Sequence, residues 1–251
     1  MDFTIKIYKQ LLESLLKQNY SFQTFEDFVK NPNDNGIVLR HDVDLLPQNS
    51  LRFAKIQAEL GIRGTYYFRA VPESWDEKII LEIASLGHEI GYHYENLTTC
   101  KGNIDLALKD FEKNLIELRK LTPVSTICMH GSPMSKFDSK DLWLKKDYKD
   151  YGIIAEPYFD VDFAKVTYLT DTGRRWDGEK VSVRDKVNVK ANFHVHATNE
   201  LMEAIKNKKF KAPIMFTFHP QRWNDFGLIW MKELILQNIK NSIKRFLFVR
   251  N

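Results

Sequence analysis

Seven short apolar runs in this sequence end on ionisable side chains, most of them of types that bind metals or move protons. Ile37-Val38-Leu39 runs into Arg40-His41-Asp42, Tyr66-Tyr67-Phe68 into Arg69, Ile90-Gly91-Tyr92 into His93, and Ile127-Cys128-Met129 into His130. Val166 to Thr170 ends at Asp171, Phe193-His194-Val195 at His196, and Ile214 to Phe218 at His219. Asp42 and Asp44 stand two residues apart, so their carboxylates share a direction if the chain stays extended. Two like charges that close are costly unless a cation lies beside them or one is protonated. A divalent metal resolves the conflict: one carboxylate binds it while the other takes a proton from its water. The competing reading of this pair is a turn or helix cap ahead of Pro47.

The second concentration of chemistry is Gly87-His88-Glu89-Ile90-Gly91-Tyr92-His93-Tyr94-Glu95. Its glycines permit close backbone approach, and His93 ends the run with imidazole, the commonest transition-metal ligand. Glu95 follows two residues on. His88 and Glu89 fall at the start of the run, away from the reactive end, and are read as structural.

Something must carry these residues to one place. Runs of this length, rich in β-branched and aromatic residues, read as buried strands. Segments of helical period lie between them. Leu51, Ala54 and Ala58 follow Pro47 and stop at Gly61. Ile104, Leu108, Phe111, Leu115 and Leu118 stop before Pro123. Leu228, Met231, Ile235, Ile239, Ile243 and Phe246 form a long last helix, and Met1 to Gln18 an extra first one. Strands alternating with helices imply an α/β fold, a parallel sheet with helices outside it. Ligands of such folds sit at the carboxyl ends of the strands, where the ionisable residues gather.

Taken together, Asp42-x-Asp44 after a strand, Gly-His-Glu-Ile-Gly-x-His, and a late strand ending in His219 resemble the carbohydrate esterase family 4 polysaccharide deacetylases, the NodB-homology domain. The likeness runs from about Gly36 to about Trp223. It implies a distorted (β/α) barrel of about seven parallel strands, within one domain over 1–251: a helical extension at 1–35, a catalytic core at 36–223 and a C-terminal helix at 224–251. It implies Asp42 as catalytic base, Asp44 and His93 as metal ligands, and His219 as the acid that protonates the leaving amine. The stretch Asp171-Thr172-Gly173-Arg174-Arg175-Trp176-Asp177 resembles the family's pocket-lining Asp/Arg/Trp segment.

Two departures from the family pattern matter. The second metal histidine falls four residues after the first, and here Leu97 stands there. His130, in Met129-His130-Gly131-Ser132-Pro133 where the family has an Arg-Pro strand end, is assigned the vacant coordination position or a contact with the reacting carbonyl, with Glu95 as competitor and otherwise a substrate contact. The implied cofactor is a divalent metal, zinc first, with nickel, cobalt, manganese or iron as alternatives. Arg174, Arg175, Trp176 and Trp223 are assigned to a carbohydrate, sugar-nucleotide or lipid-linked sugar; core packing is the alternative use of the two tryptophans, and ion pairs to Asp171, Asp177 or Asp225 that of Arg174, Arg175 and Arg222. His196 is read as a structural hydrogen-bonding group more than a site residue. The His-Gly-Ser-Pro, Thr-Asp-Thr-Gly-Arg-Arg-Trp and His-Pro-Gln-Arg-Trp elements resemble a bacterial subgroup associated with surface-polysaccharide (lipopolysaccharide) biosynthesis. Deformylation, metal-free opening of a cyclic amide, and sugar binding without catalysis are the other readings.

Bulk properties narrow the field. The 251 residues carry 37 basic and 33 acidic side chains, a net charge of +4 too small and dispersed for a nucleic-acid footprint. Solvated helix faces account for Lys206, Lys208, Lys209 and Lys211 and for Lys240, Lys244, Arg245 and Arg250, with an anionic ligand or membrane surface as the remaining use. Two cysteines, Cys100 and Cys128, suggest a reducing compartment rather than a disulfide framework. The Met1-Asp2-Phe3 start lacks a basic-then-apolar leader pattern and no apolar run approaches bilayer length, so a cytoplasmic location is expected.

Overall fold

The computed structural model describes residues 1–132, 135–176, 187, 195–225 and 227–247, with side chains as far as residue 242. Helix α1 (Ile5–Lys17) starts at Thr4, whose hydroxyl accepts from the Ile7 N–H, and buries Tyr8, Leu11, Leu12 and Leu15 at helical spacing. Next come β1 (Ser21–Gln23), α2 (Phe25–Lys30) and β2 (Gly36–Val43). Helix α3 (Pro47–Glu59) opens on proline and is followed by Gly61 at φ +69°, a left-handed residue that suits glycine. Then follow β3 (Thr65–Phe68), α4 (Glu77–Ser85), β4 (Glu89–Tyr94), the single turn α5 (Asn96–Thr99), α6 (Ile104–Leu121) and β5 (Ile127–Met129). The chain ends with α7 (Pro157–Asp160), β6 (Thr167–Thr170), α8 (Thr198–Lys206), β7 (Ile214–Phe218) and α9 (Leu228–Leu247).

Among the described residues seven strands run parallel in one sheet, ordered β5-β4-β3-β2-β7-β6, with β1 pairing the first residues of β2. This is the α/β architecture expected from the sequence, a distorted barrel of which the sheet forms an open half. Six of the anticipated runs are strands. The seventh strand is β1, which hydrophobic periodicity did not single out; of the run 193–195, residues 193 and 194 lie outside the described residues. The first 35 residues hold the expected helix, yet β1 joins the sheet and α1 packs on α8 and α3, so they are built into the fold.

Register decides which side chains can meet. Strand side chains alternate faces. Ile37, Leu39 and Val43 of β2, Tyr66 and Phe68 of β3, and Phe216 and Phe218 of β7 pack in the main core with α1, α3 and α8. Val38, Tyr67, Cys128 and Met215 belong to a second cluster on the concave face. Arg40 and Asp42 share that concave parity with Val38, while His41 does not. His41 instead sits among Tyr8, Gln57 and Tyr66 in the helix layer, where burial pushes its pKa down to about 3 and keeps it neutral. His88 and Glu89 are structural, as read from the sequence. His88 accepts from the Gly64 N–H and meets the Ala54 carbonyl, and Glu89 takes hydrogen bonds from Thr65, Thr126 and the Glu26 N–H; burial pushes Glu89 up to about 7.

Gly91 shows how tightly the concave face is filled. A Cβ there would stand 2.3 Å from Tyr67 Cε1 and 2.9 Å from the Thr126 carbonyl oxygen, and Tyr67 is fully buried. Gly91→Ala is expected to destabilise the fold by about 1–3 kcal/mol through overpacking. A lower urea midpoint with unchanged slope is the readout; an unshifted midpoint would show that β3 and β4 yield at no cost.

Candidate metal and catalytic centre

The concave residues at the carboxyl ends of β2, β4, β5 and β7 come together. Paired registers set Asp42 opposite Tyr67, His93 opposite Cys128, and His41 opposite Phe218, which brings the next residues, Asp42 and His219, to one level. Asp44 lies one step past β2, and His130 one step past β5, where its N–H still bonds the Tyr94 carbonyl at 2.8 Å.

Asp44 Oδ1 stands 3.6 Å from His93 Nε2 and 3.5 Å from His130 Nε2. Two bonds of about 2.05 Å at a tetrahedral angle put ligand atoms about 3.4 Å apart, so these spacings suit a zinc-sized ion. The electronic preparation suits one too. His93 spends Nδ1 on the Cys128 carbonyl at 2.9 Å, and His130 spends Nδ1 on Glu95 Oε2 at 2.8 Å, which leaves both Nε2 atoms for the centre. Asp44 Oδ2 accepts from Gln221 Nε2 at 2.9 Å, whereas Oδ1 is buried with no hydrogen-bond partner. A buried carboxylate oxygen left that way is costly. A cation answers the cost.

Charge balance follows the same geometry. Burial would raise the Asp44 carboxyl, but the imidazoles of His130 and His93 beside it hold it well below the usual carboxylate range. Burial would lower His130, yet Asp44 and Glu95 lift it above its ordinary value. Among the described residues, Asp42, His93 and Cys128 form a second group with ligand atoms within 4.8 Å of one another. We favour the Asp44 set because Asp42 already has its counter-charge: Arg40 Nε donates to Oδ1 at 2.8 Å and Arg40 NH2 to Oδ2 at 2.6 Å.

Arg40 is a residue the sequence reading passed over as a mere strand end. It is 1% exposed, braced by the Tyr158 hydroxyl, and fixes a carboxylate whose Oδ2 lies 3.7 Å from His93 Nε2. Period-two alternation from Asp42 to Arg40 was the available signal. Tyr158 had none, since it arrives from α7, which Glu156 tethers to β5 by accepting from the Met129 and Tyr158 N–H groups.

His219 faces the centre from β7 with its Nδ1 held 2.6 Å from Asp171 Oδ1. Asp171 also accepts from the His219 N–H, Arg222 and Trp223 Nε1, and is fully buried. Burial opposes its charge, but His219 and Arg222 outweigh it and keep Asp171 below its ordinary value, an anion that fixes which imidazole nitrogen remains for chemistry.

The structure corrects the sugar-contact assignments of Trp176, Trp223 and Glu95. Trp176 and Trp223 are 2% and 0% exposed and donate to Thr198 and Asp171, so neither offers a ring face to a sugar. Glu95 is buried with Oε1 on Arg69 and Oε2 on His130, so it supports His130 from behind and does not reach a substrate. The four-residue spacing at Leu97 is filled by core packing, with Leu97 3% exposed, while His130 is the residue beside Asp44 and His93. For Arg222 the ion-pair reading holds, with Asp171 as partner; Asp225 pairs with Arg52, and Asp177 and His194 lie outside the described residues. Arg174 lies over the rings of Phe3 and Trp230, and Arg175 meets His196 Nδ1 at 2.7 Å, in a cleft of about 700 Å³. Lys206, Lys208, Lys209 and Lys211 are exposed, but only Lys206 stands on a helix, the other three lying in the connection from α8 to β7.

No protein-family model matches the sequence, and no curated protein matches it. Among solved structures, the chain is similar to a family 4 carbohydrate esterase from Bacillus anthracis at 11% identity and TM-score 0.40, over 82% of this chain and 76% of that one. A CE4 esterase from Streptococcus mutans aligns at 13% identity and TM-score 0.46, over 92% and 91%. A mutant of a CE4 family pseudoenzyme aligns at 13% identity and TM-score 0.46, over 85% of this chain and 64% of that one.

Glu95→Gln leaves the three ligand atoms intact but weakens the acceptor that orients His130. Zinc affinity by competition titration should fall about 10–100-fold, and His130→Ala should cost at least as much. Wild-type affinity in His130→Ala would put the ion elsewhere.

Proposed function

We propose that this chain is a divalent-metal-dependent amide hydrolase that removes an N-acyl group, acetyl first, from a carbohydrate or activated sugar. The observation that carries the reading is the buried Asp44 Oδ1, with no hydrogen bond, beside the Nε2 atoms of His93 and His130, with Asp42 next to His93 and His219 near enough for its charge to be felt at Asp44. Asp44, His93 and His130 would hold the ion, zinc first. When bound, it would supply Lewis acidity toward the acyl oxygen and acidify water.

The chain's own groups supply the proton transfers. Asp42 is the base: Arg40 takes one lone-pair site on each oxygen, and the remaining sites can accept a water proton. Because Arg40 compensates its charge and sets its plane, Asp42 is oriented before substrate arrives. His219 is the acid. With Nδ1 fixed by Asp171, its Nε2 delivers the proton that an amide nitrogen needs in order to leave as an amine. Arg174 and Arg175, three and four residues beyond Asp171, are our assignment for an acidic or phosphorylated part of the substrate. Neither Cys100 nor Cys128 is in a disulfide, which supports a cytoplasmic location for this catalytic domain. Among the described residues no helix is long and apolar enough to cross a membrane.

Zinc-loaded protein is expected to release acetate from N-acetylated oligosaccharide or a nucleotide-activated N-acetylhexosamine. Asp42→Asn and His219→Ala should each reduce kcat by roughly 10²–10⁴-fold, the usual worth of a general acid or base, while circular dichroism stays native. Sugar binding with no acetate or formate from the zinc-loaded wild type would sink the hydrolase reading, and full turnover in either variant would sink the role assignment.

A further inference from the structure

Helix α9 is amphipathic the wrong way round for a helix that only caps a core. Leu228, Met231, Ile235 and Ile239 recur at spacings of three, four and four, which is one helix face. The sequence predicts that this face turns inward. Instead Leu228 is 86% exposed, Met231 47%, Ile235 56% and Ile239 51%, with Ile229 and Leu236 exposed on the flank. The buried side is polar. Gln237 donates to Asn241, Asn241 donates to the Gly173 carbonyl at 2.8 Å, and Trp230 Nε1 donates to the Asp2 carbonyl at 2.9 Å. Six large apolar side chains on one helix exceed what scattered surface exposure explains.

Charge says what covers this face. The sequence of α9 holds Lys232, Lys240, Lys244 and Arg245 against the single acid Glu233, and Lys232 and Lys240 are exposed. A second copy is disfavoured by the same residues. Antiparallel pairing about a two-fold axis near Leu236 sets each Lys232 against the other copy's Lys240, twice. An anionic lipid surface meets both requirements, apolar depth and phosphate charge.

We propose that α9 is a bilayer-facing element that lies in the headgroup plane of an anionic membrane, with Leu228, Ile235 and Ile239 dipping below the phosphates and Lys232 and Lys240 at them. This is independent of the hydrolase reading. It is a peripheral contact, not a span.

The test is co-sedimentation of the full chain with mixed phosphatidylglycerol–phosphatidylcholine vesicles, with pure phosphatidylcholine vesicles as reference. Wild-type protein should partition to the anionic vesicles and be released by salt. Ile235→Asp with Ile239→Asp, and separately Lys232→Glu with Lys240→Glu, should each weaken partition about tenfold or more. All four side chains are already exposed, so both variants should keep the wild-type melting temperature. Three results overturn the proposal: no preference for anionic vesicles, partition unchanged in both variants, or a wild-type dimer in sedimentation equilibrium that Ile235→Asp with Ile239→Asp dissolves.

Discussion

A carboxylate oxygen buried without a donor is the constraint around which this molecule is arranged. Asp44 Oδ1 has its sister oxygen tied to Gln221, two imidazole nitrogens within 3.6 Å, and no hydrogen bond of its own. Elsewhere on the rim each of these acids is hydrogen-bonded to its ionic partners: Asp42 to Arg40, Glu95 to Arg69 and His130, Asp171 to Arg222 and His219. The exception falls at the meeting point of three potential ligands. Breaking any of the surrounding buried pairs would expose an uncompensated charge, at a cost of about 3–5 kcal/mol, so the rim is rigid where chemistry needs it rigid.

The rim has a common grammar. Each of His93, His130 and His219 gives Nδ1 to an acceptor behind it: a backbone carbonyl, a glutamate and an aspartate. The remaining nitrogen is thereby fixed in both direction and tautomer. The acceptors differ with the job. A neutral carbonyl behind His93 suits the ligand role proposed for it, and the anion Asp171 behind His219 suits the proposed proton donor. Such division of labour between similar side chains is set by the residues behind them.

Helix α9 shows the opposite economy. It holds to the body of the protein through Trp230, Gln237 and Asn241 and leaves its apolar face to solvent. Helical periodicity alone cannot reveal this inversion, because an apolar stripe reads the same whether it meets a core or some other surface.

The sequence by itself determined the strand runs, the alternation that makes the sheet parallel, and the residue types at the strand ends. Asp42, Asp44, His93, His130 and His219 were legible because strand tips of a parallel sheet share one edge, and period-two alternation fixes which side chains share a face. Tertiary structure decided the partners. That Tyr158 braces Arg40, that Glu95 stands behind His130 and not in front of it, and that both tryptophans are sealed in the core depend on contacts between residues 35 to 118 apart in sequence or on burial. Strand β1, three half-buried residues long, escaped because so short a run carries no periodic signal and owes its shape to pairing with β2. Local pattern records what a residue can do, and only packing sets what it touches.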